Sequence, residues 1–140
     1  MKAVAAAFGV VVLVGLWALR RGFTVVTVSG DSMLPAFRPG DRVLVRRVPL
    51  HRIERGQVVV LAQPAELRNL PDNPPWLIKR AVALPGDAVP DEIEELRGDR
   101  VPSGSIVVLG DNVGRSYDSR RAGYFPAGSL LGVVQRVLPR

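Results

Sequence analysis

The sequence predicts an all-β fold, a small barrel or sandwich of about 110 to 120 residues, preceded by one N-terminal apolar helix. Three observations predict it. Short β-rich segments recur along the chain, 14 glycines and 12 prolines interrupt them, and 47% of the 140 residues are apolar, enough for one packed core. We therefore divide the chain into residues 1–22, an anchor segment, and residues 23–140, a single β-rich domain.

The first element is an uncharged apolar segment. Residues 3–19 carry no charge and are flanked by Lys2 and by Arg20 and Arg21. This length is at the short end of the range for a membrane-spanning helix. A cleaved secretory signal is the alternative, but this segment is long for one and ends in arginines rather than in small residues. We expect an uncleaved, single-pass anchor, and the positive-inside rule places the Arg20 side in the cytoplasm.

Six short segments rich in β-branched and aliphatic residues predict the strands. They cover residues 24–28, 42–48, 57–62, 76–84, 106–109 and 130–138. Sequences that favour backbone reversal lie between them, at 39–41, 54–56, 71–75, 85–87 and 110–112.

Composition excludes several kinds of site. The absence of cysteine excludes disulfides, thiolate nucleophiles and cysteine-ligated zinc, and a single histidine excludes a multi-histidine metal cluster. That histidine, His51, lies in a turn-like segment with nothing nearby to orient its ring as a base. The net charge of +6 is spread along the chain without a nucleic-acid-binding motif, so we expect no nucleic-acid partner.

Lys79 is the candidate general base. Of the 19 basic residues, 17 are arginines, and Lys79 is the only lysine beyond the N-terminal segment. Arginine keeps its proton above pH 12, whereas desolvation can lower the pKa of a buried lysine by several units. The alternative is a strand lysine that extends its amine to water.

Ser32 is the candidate nucleophile, because without cysteine such catalysis needs a serine or threonine with a histidine or lysine as base. It follows the first predicted strand in the sequence VSGDSMLP, residues 28–35. Gly30 permits unusual backbone angles, so the Ser32 amide can face a substrate carbonyl as an oxyanion donor. An ordinary Ser/Gly/Asp turn is the alternative.

Three segments, in this order after an apolar N-terminus, resemble the type I signal peptidase family of membrane-anchored Ser/Lys endopeptidases. They are GDSMLP at 30–35 with PGD at 39–41, KRAVALPGD at 79–87, and a segment at 110–123 that starts with GDN, continues through SYDSR at 116–120 and ends at Gly123. Only 22 residues separate Asp87 from Gly110, so the large second domain of many bacterial members is missing. Gly30 stands where some members have a serine that donates a second oxyanion hydrogen bond.

The resemblance implies roles for five residues. Ser32 matches the nucleophile and Lys79 the general base. Ser116 matches the serine that orients the lysine amine, while Asp118 and Arg120 match a buried ion pair that holds the last loop beside the site. From the residues alone, an ordinary polar loop is the preferred interpretation of this last segment.

The implied function is a membrane-bound serine endopeptidase that removes signal or leader peptides from preproteins and needs no metal or organic cofactor. Its substrates carry small residues before the cleavage site and lie extended along a strand edge. The catalytic domain of the family lies on the extracytoplasmic side of the cytoplasmic membrane, opposite to the side that Arg20 and Arg21 predict. Four apolar residues occupy the positions expected to line the substrate pockets: Val28, Met33, Leu77 and Ile78. The alternative is that they only pack in the core.

Other functions remain compatible with the sequence. One is a dedicated maturation peptidase for a single precursor, of a metalloenzyme or a conjugation protein. The repressor self-cleavage family also uses a Ser/Lys pair on a β fold, but it lacks the segment at 110–123 and the N-terminal anchor. A catalytically inactive, membrane-anchored β module that binds extended segments is the alternative from another class, although the joint presence of Ser32, Lys79 and Ser116 argues against it.

Overall fold

A computed structural model describes residues 2–68, 73–93, 96 and 98–139 of the chain. It contains an N-terminal helix and one seven-stranded antiparallel sheet, curled like half of a barrel. The prediction of an all-β domain after the N-terminal segment is confirmed. The helices are α1 (Lys2–Gly22), α2 (Ala65–Arg68) and α3 (Ser119–Ala122). The strands are β1 (Phe23–Thr27), β2 (Arg42–Arg46), β3 (Val58–Ala62), β4 (Trp76–Ala83), β5 (Ser105–Leu109), β6 (Phe125–Pro126) and β7 (Leu130–Val137).

The strands lie in the order β1-β2-β7-β3-β4-β5-β6. The last strand of the chain, β7, therefore pairs with both β2 and β3 and joins the N-terminal hairpin to the rest of the sheet. All six predicted strands are present at their predicted positions. Strand β6 was not predicted, because two residues are too few to carry an alternating pattern. The turn predicted at 71–75 lies partly outside the described residues.

The two faces of the sheet carry separate apolar clusters. On β3, Val59 and Leu61 contribute to one cluster, while Val58 and Val60 contribute to the other. Both faces of β3 and of the paired strand β4 are therefore largely covered, which explains their nearly continuous apolar sequences. Lys79, on β4, is a charged residue in this covered part of the sheet.

Helix α1 precedes the sheet and exposes large apolar side chains. Phe8, Val11, Leu13 and Leu19 each leave more than half of their surface uncovered. Within the residues that the structure describes, no helix reaches the combination of length and hydropathy needed to cross a bilayer.

Candidate active site

Ser32 lies in the loop between β1 and β2, where backbone hydrogen bonds fix the chain. Two bonds close the base of this loop, from Val28 N to Asp41 O at 2.8 Å and from Gly40 N to Val28 O at 2.9 Å. Gly30 has a φ of +76°, a conformation that L side chains rarely adopt and that its place in the sequence predicted. Ser32 itself is half-buried in this loop.

Lys79 lies on β4 with its amine buried against that hydroxyl. Only 2% of the residue is exposed. Its Nζ donates a hydrogen bond to Ser32 Oγ at 2.8 Å and another to the carbonyl oxygen of Ile78 at 3.0 Å. The fold thus brings a hydroxyl and an amine that are 47 residues apart in the sequence into direct contact.

Burial changes the protonation of this amine. Loss of hydration penalises the charged form and lowers the pKa of Lys79 from 10.5 to about 8; Asp118 opposes this shift and Arg120 adds to it. At pH 7, roughly one molecule in ten then carries a neutral amine. A neutral Nζ has a lone pair, so it can accept the proton of a hydroxyl at hydrogen-bonding distance.

The segment after β5 holds the Ser32 loop. Asn112 N donates to the carbonyl oxygen of Ser32 at 2.9 Å, and Asn112 Nδ2 donates to that of Asp31 at 3.1 Å. Gly110 is buried at a point where a Cβ atom would overlap both Ser116 Oγ and the Ser32 carbonyl oxygen. The third matched segment therefore packs directly on the backbone of the first, and Gly110 makes that close approach possible.

Arg80, next to the candidate base, fixes the same segment. Its guanidinium donates to Asp111 from Nε at 2.9 Å and from Nη2 at 2.7 Å, and it also donates to the carbonyl oxygen of Gly56. The hydrogen bonds to Asp111 raise the pKa of Arg80 above its ordinary value. Because adjacent strand residues point to opposite faces, Lys79 can face the cleft while Arg80 ties β4 to the turn after β5.

Asp118 is a fully buried carboxylate surrounded by donors. It accepts hydrogen bonds from Gly110 N at 2.8 Å, Ser116 Oγ at 2.6 Å, Arg120 N at 3.1 Å and Arg120 Nε at 3.0 Å. Burial alone would raise the pKa of Asp118, but hydrogen bonds from Arg120, Gly110 and Ser116 outweigh it and hold the pKa below its usual value. Asp118 and Arg120 thus form an ion pair, with the carboxylate fully covered and the guanidinium mostly so.

Ser116 forms its hydrogen bond with this ion pair. Its hydroxyl donates to Asp118, and no hydrogen bond joins Ser116 to Lys79 among the described residues. Ser116 is hydrogen-bonded to Asp118, and the negative charge of Asp118 acts to raise the pKa of Lys79.

Ser32 and Lys79 line a cleft of about 480 Å³. The four residues that the sequence suggested for substrate pockets also line it: Val28, Met33, Leu77 and Ile78. All four are buried members of the two apolar clusters as well. These four side chains therefore both line the cleft and pack in the core.

Side chains that could ligate a metal ion are not grouped in the described part of the chain. His51 lies in an exposed 3-10 turn, Leu50–Arg52, and does not line the cleft. Besides Ser32 and Lys79, the cleft is lined by other polar side chains, among them Asp31, Arg115 and Tyr117.

Several residues that build the site were not identified from the sequence. Arg80, Gly110, Asp111 and Asn112 occur inside the matched segments, and their position beside the candidate residues was an available signal. Their contacts join residues that are distant in the sequence, so no local sequence pattern reveals these contacts. Gln63, which also lines the cleft, lies outside all three segments and had no signal.

The sequence matches the family described as signal peptidase, peptidase S26, over residues 1–97 and 90–138. It is 35% identical over 145 residues to mitochondrial inner membrane protease subunit 2 of Mus musculus, covering 98% of this chain and 79% of that protein. It is 32% identical over 129 residues to probable signal peptidase I-1 of Synechocystis sp., covering 75% of this chain and 65% of that protein. It is 30% identical over 130 residues to signal peptidase I of Leptolyngbya laminosa, covering 75% and 63%.

The chain thus spans somewhat less than two thirds of the two cyanobacterial relatives and about four fifths of the mouse protein. The family match extends over almost the whole chain and includes Ser32, Lys79 and the segment at 110–123. The chain therefore belongs to the signal peptidase family, peptidase S26.

Proposed function

We propose that the protein is a membrane-bound serine endopeptidase that removes signal or leader peptides from preproteins with a Ser32–Lys79 dyad. One observation carries the proposal: a buried amine lies 2.8 Å from a serine hydroxyl at the wall of an open cleft. Relatives named signal peptidase I and mitochondrial inner membrane protease support the same class of reaction.

The first half of the reaction forms an acyl-enzyme. Neutral Lys79 accepts the hydroxyl proton as Ser32 Oγ attacks the carbonyl carbon of the scissile peptide. The amide of Ser32 donates to no other group among the described residues, so it is available to the oxyanion that develops. The Lys79 ammonium then protonates the leaving amine, the C–N bond breaks, and the substrate remains as an ester on Ser32.

The second half releases the other product. Lys79, neutral again, accepts a proton from a water molecule, which attacks the ester carbonyl. Collapse of the second tetrahedral intermediate breaks the bond to Ser32 Oγ, and the proton returns from Lys79 to that oxygen. The dyad is then ready for another substrate.

Ser116, Asp118 and Arg120 act in this scheme as positioning residues. The ion pair fixes the turn after β5 through the bond from Gly110 N to Asp118, and that turn in turn supports the Ser32 loop. Ser116 occupies one acceptor site of the carboxylate and fills the space beside Gly110. A buried ion pair contributes little net stability, so fixing a position is its more reasonable role.

The substrate is a preprotein segment bound in extended conformation. Main-chain hydrogen bonds supply affinity, and the apolar cleft wall selects small side chains just before the cleaved bond. We assign that wall to Val28, Met33, Leu77 and Ile78 because they line the cleft beside Ser32.

Residues 1–22 attach the enzyme to the cytoplasmic membrane as a single pass, with the catalytic domain on the extracytoplasmic side. The uncharged sequence of residues 3–19 and the exposed apolar side chains of α1 support attachment to a bilayer. Membrane attachment raises the effective concentration of membrane-bound substrates without any new contact.

The test is cleavage of a synthetic signal peptide by the full chain in detergent. We expect cleavage after a small residue, and its loss in Ser32→Ala. Ser103→Ala, an exposed serine outside the cleft, is the matched control and should cleave like the wild type. Absence of cleavage by the wild type, or cleavage that survives Ser32→Ala, would contradict the proposal.

A further inference from the structure

Gln63 has a buried side chain with an unused hydrogen-bond acceptor. It directly follows β3, is 4% exposed, and its Oε1 has no hydrogen-bond partner among the described residues. Buried polar atoms in folded proteins almost always have a partner, so each exception needs a reason. The backbone of Gln63 is well fixed, since its N–H donates to Pro75 O and its carbonyl accepts from Arg68 Nη2, both at 3.1 Å.

Gln63 lies where two cavities meet. It lines the cleft that contains Ser32 and Lys79, and it also lines a second cavity of about 580 Å³. Tyr117 lines both cavities as well. The second cavity is bordered by Arg121, Tyr124 and Phe125, residues from the part of the chain that follows the candidate ion pair. A polypeptide that leaves the cleft past Tyr117 would therefore enter this second cavity.

The register of the sheet sets the distance between Gln63 and the dyad. Ala62 pairs with Trp76, and Gln63 bonds to Pro75, which lies just before β4 and four positions before Lys79. At about 3.3 Å per residue, the separation along the strand is about 13 Å. An extended substrate with its scissile carbonyl at Ser32 covers that length in about four residues.

We propose that Gln63 is a remote substrate-binding residue, whose Oε1 accepts a hydrogen bond from a main-chain N–H of the bound polypeptide about four residues from the cleaved bond. The inference rests on the proposed function. A main-chain N–H is the fitting donor because an extended chain presents one at every residue, whatever its sequence. Binding of the substrate then supplies the partner that Oε1 lacks in the free protein.

The first test is the variant Gln63→Leu, which keeps the volume of the side chain and removes the acceptor. We expect kcat/KM for the synthetic signal peptide to fall about tenfold, as for loss of one buried hydrogen bond to substrate. The melting temperature should not fall, because the variant removes an unpaired polar atom. Gln135→Leu, an exposed glutamine on β7 outside both cavities, is the matched control and should keep full activity.

The second test uses peptides in which one amide bond at a time is replaced by an ester, which deletes a single N–H. At one position, about four residues from the cleaved bond, the ester should reduce kcat/KM of the wild type about tenfold. The same ester should cause no further loss in Gln63→Leu, because its partner is already missing.

Three results would overturn the inference: unchanged kcat/KM in Gln63→Leu, identical ester profiles in the two enzymes, or a fall in melting temperature that explains the loss of activity. If Gln63→Leu does not fold, Gln63→Met replaces it in both tests. Any of these results alongside Ser32-dependent cleavage by the wild type leaves the proposed function standing. Absence of wild-type cleavage would overturn the two together.

Discussion

Two buried charged residues lie close to the same cleft, and the protein surrounds them in opposite ways. Asp118 accepts hydrogen bonds from Gly110, Ser116 and Arg120, and these donors hold its pKa low. Lys79 is almost as deeply buried, but among the described residues its amine donates hydrogen bonds to a hydroxyl and a carbonyl oxygen and forms no salt bridge. Its pKa is lowered to about 8.

The comparison separates two uses of a buried charge. A carboxylate that is fully paired keeps its charge and fixes the groups around it. An amine that is desolvated without a paired carboxylate loses part of its preference for the charged form and can exchange a proton near neutral pH. In this protein the first kind of group lies in the last matched segment and the second on β4, so we assign rigidity and proton transfer to different residues.

The largest expected effect comes from Lys79→Arg. The variant keeps a positive charge but cannot release its proton near neutral pH, so kcat/KM should fall by at least about a thousandfold, as far as in Lys79→Ala. Cleavage of the synthetic signal peptide measures it. Arg100→Lys, an exposed basic residue away from the cleft, is the control for a basic-residue exchange. Appreciable turnover in Lys79→Arg would mean that charge, not basicity, is what the site needs.

The sequence predicted most of the fold because its strands are short apolar segments separated by glycine and proline. It also predicted which serine and lysine to bring together, from residue chemistry and from the order of three motifs. The bond between Asn112 and Ser32 and the Arg80–Asp111 pair depend on how distant segments fold against each other. The hydrogen bond from Ser116 to Asp118 depends on side-chain geometry, which the sequence does not reveal.

Asp118→Asn should act on stability. It removes the anion while Arg120 stays in place, which costs about 3 kcal/mol in the free energy of unfolding at pH 7. Because the pKa of Asp118 is lowered in the folded protein, the wild type loses this contribution as pH falls through that lowered pKa, so the gap between the two proteins should narrow in acid. Urea unfolding at several pH values measures both. If Asp118→Asn and the wild type were equally stable at pH 7, Asp118 would not be the well-paired charge that we contrast with Lys79.

Lys79→Met should stabilise the fold while it abolishes cleavage. The variant removes a desolvated amine, and after allowance for the lost bond to Ile78 we expect a gain of about 2 kcal/mol at pH 7. Between pH 8 and 10.5 the unfolded wild type binds more protons than the folded one, so its stability rises with pH. The advantage of Lys79→Met should therefore shrink across that window in urea unfolding. A loss of stability at pH 7 would show that the amine is well paired after all.

The pH profile of cleavage should give the smallest of these effects. With a base whose pKa is about 8, kcat/KM should rise about tenfold between pH 7 and a plateau above pH 9. Initial rates at low substrate concentration measure it. In Asp118→Asn the midpoint should move to lower pH, because the charge of Asp118 acts to raise the pKa of Lys79. A profile that is flat across this range would argue against Lys79 as the base.

The most direct measurement is the pKa of Lys79 itself. Lys2 and Lys79 are the only lysines of the chain, so labelling lysine Cε with carbon-13 gives two resonances to follow by NMR as pH changes. We expect the resonance that vanishes in Lys79→Arg to titrate near pH 8. If that resonance titrates near pH 10.5 instead, the Lys79 amine stays charged at neutral pH, and the account of Lys79 as an exchangeable base is wrong.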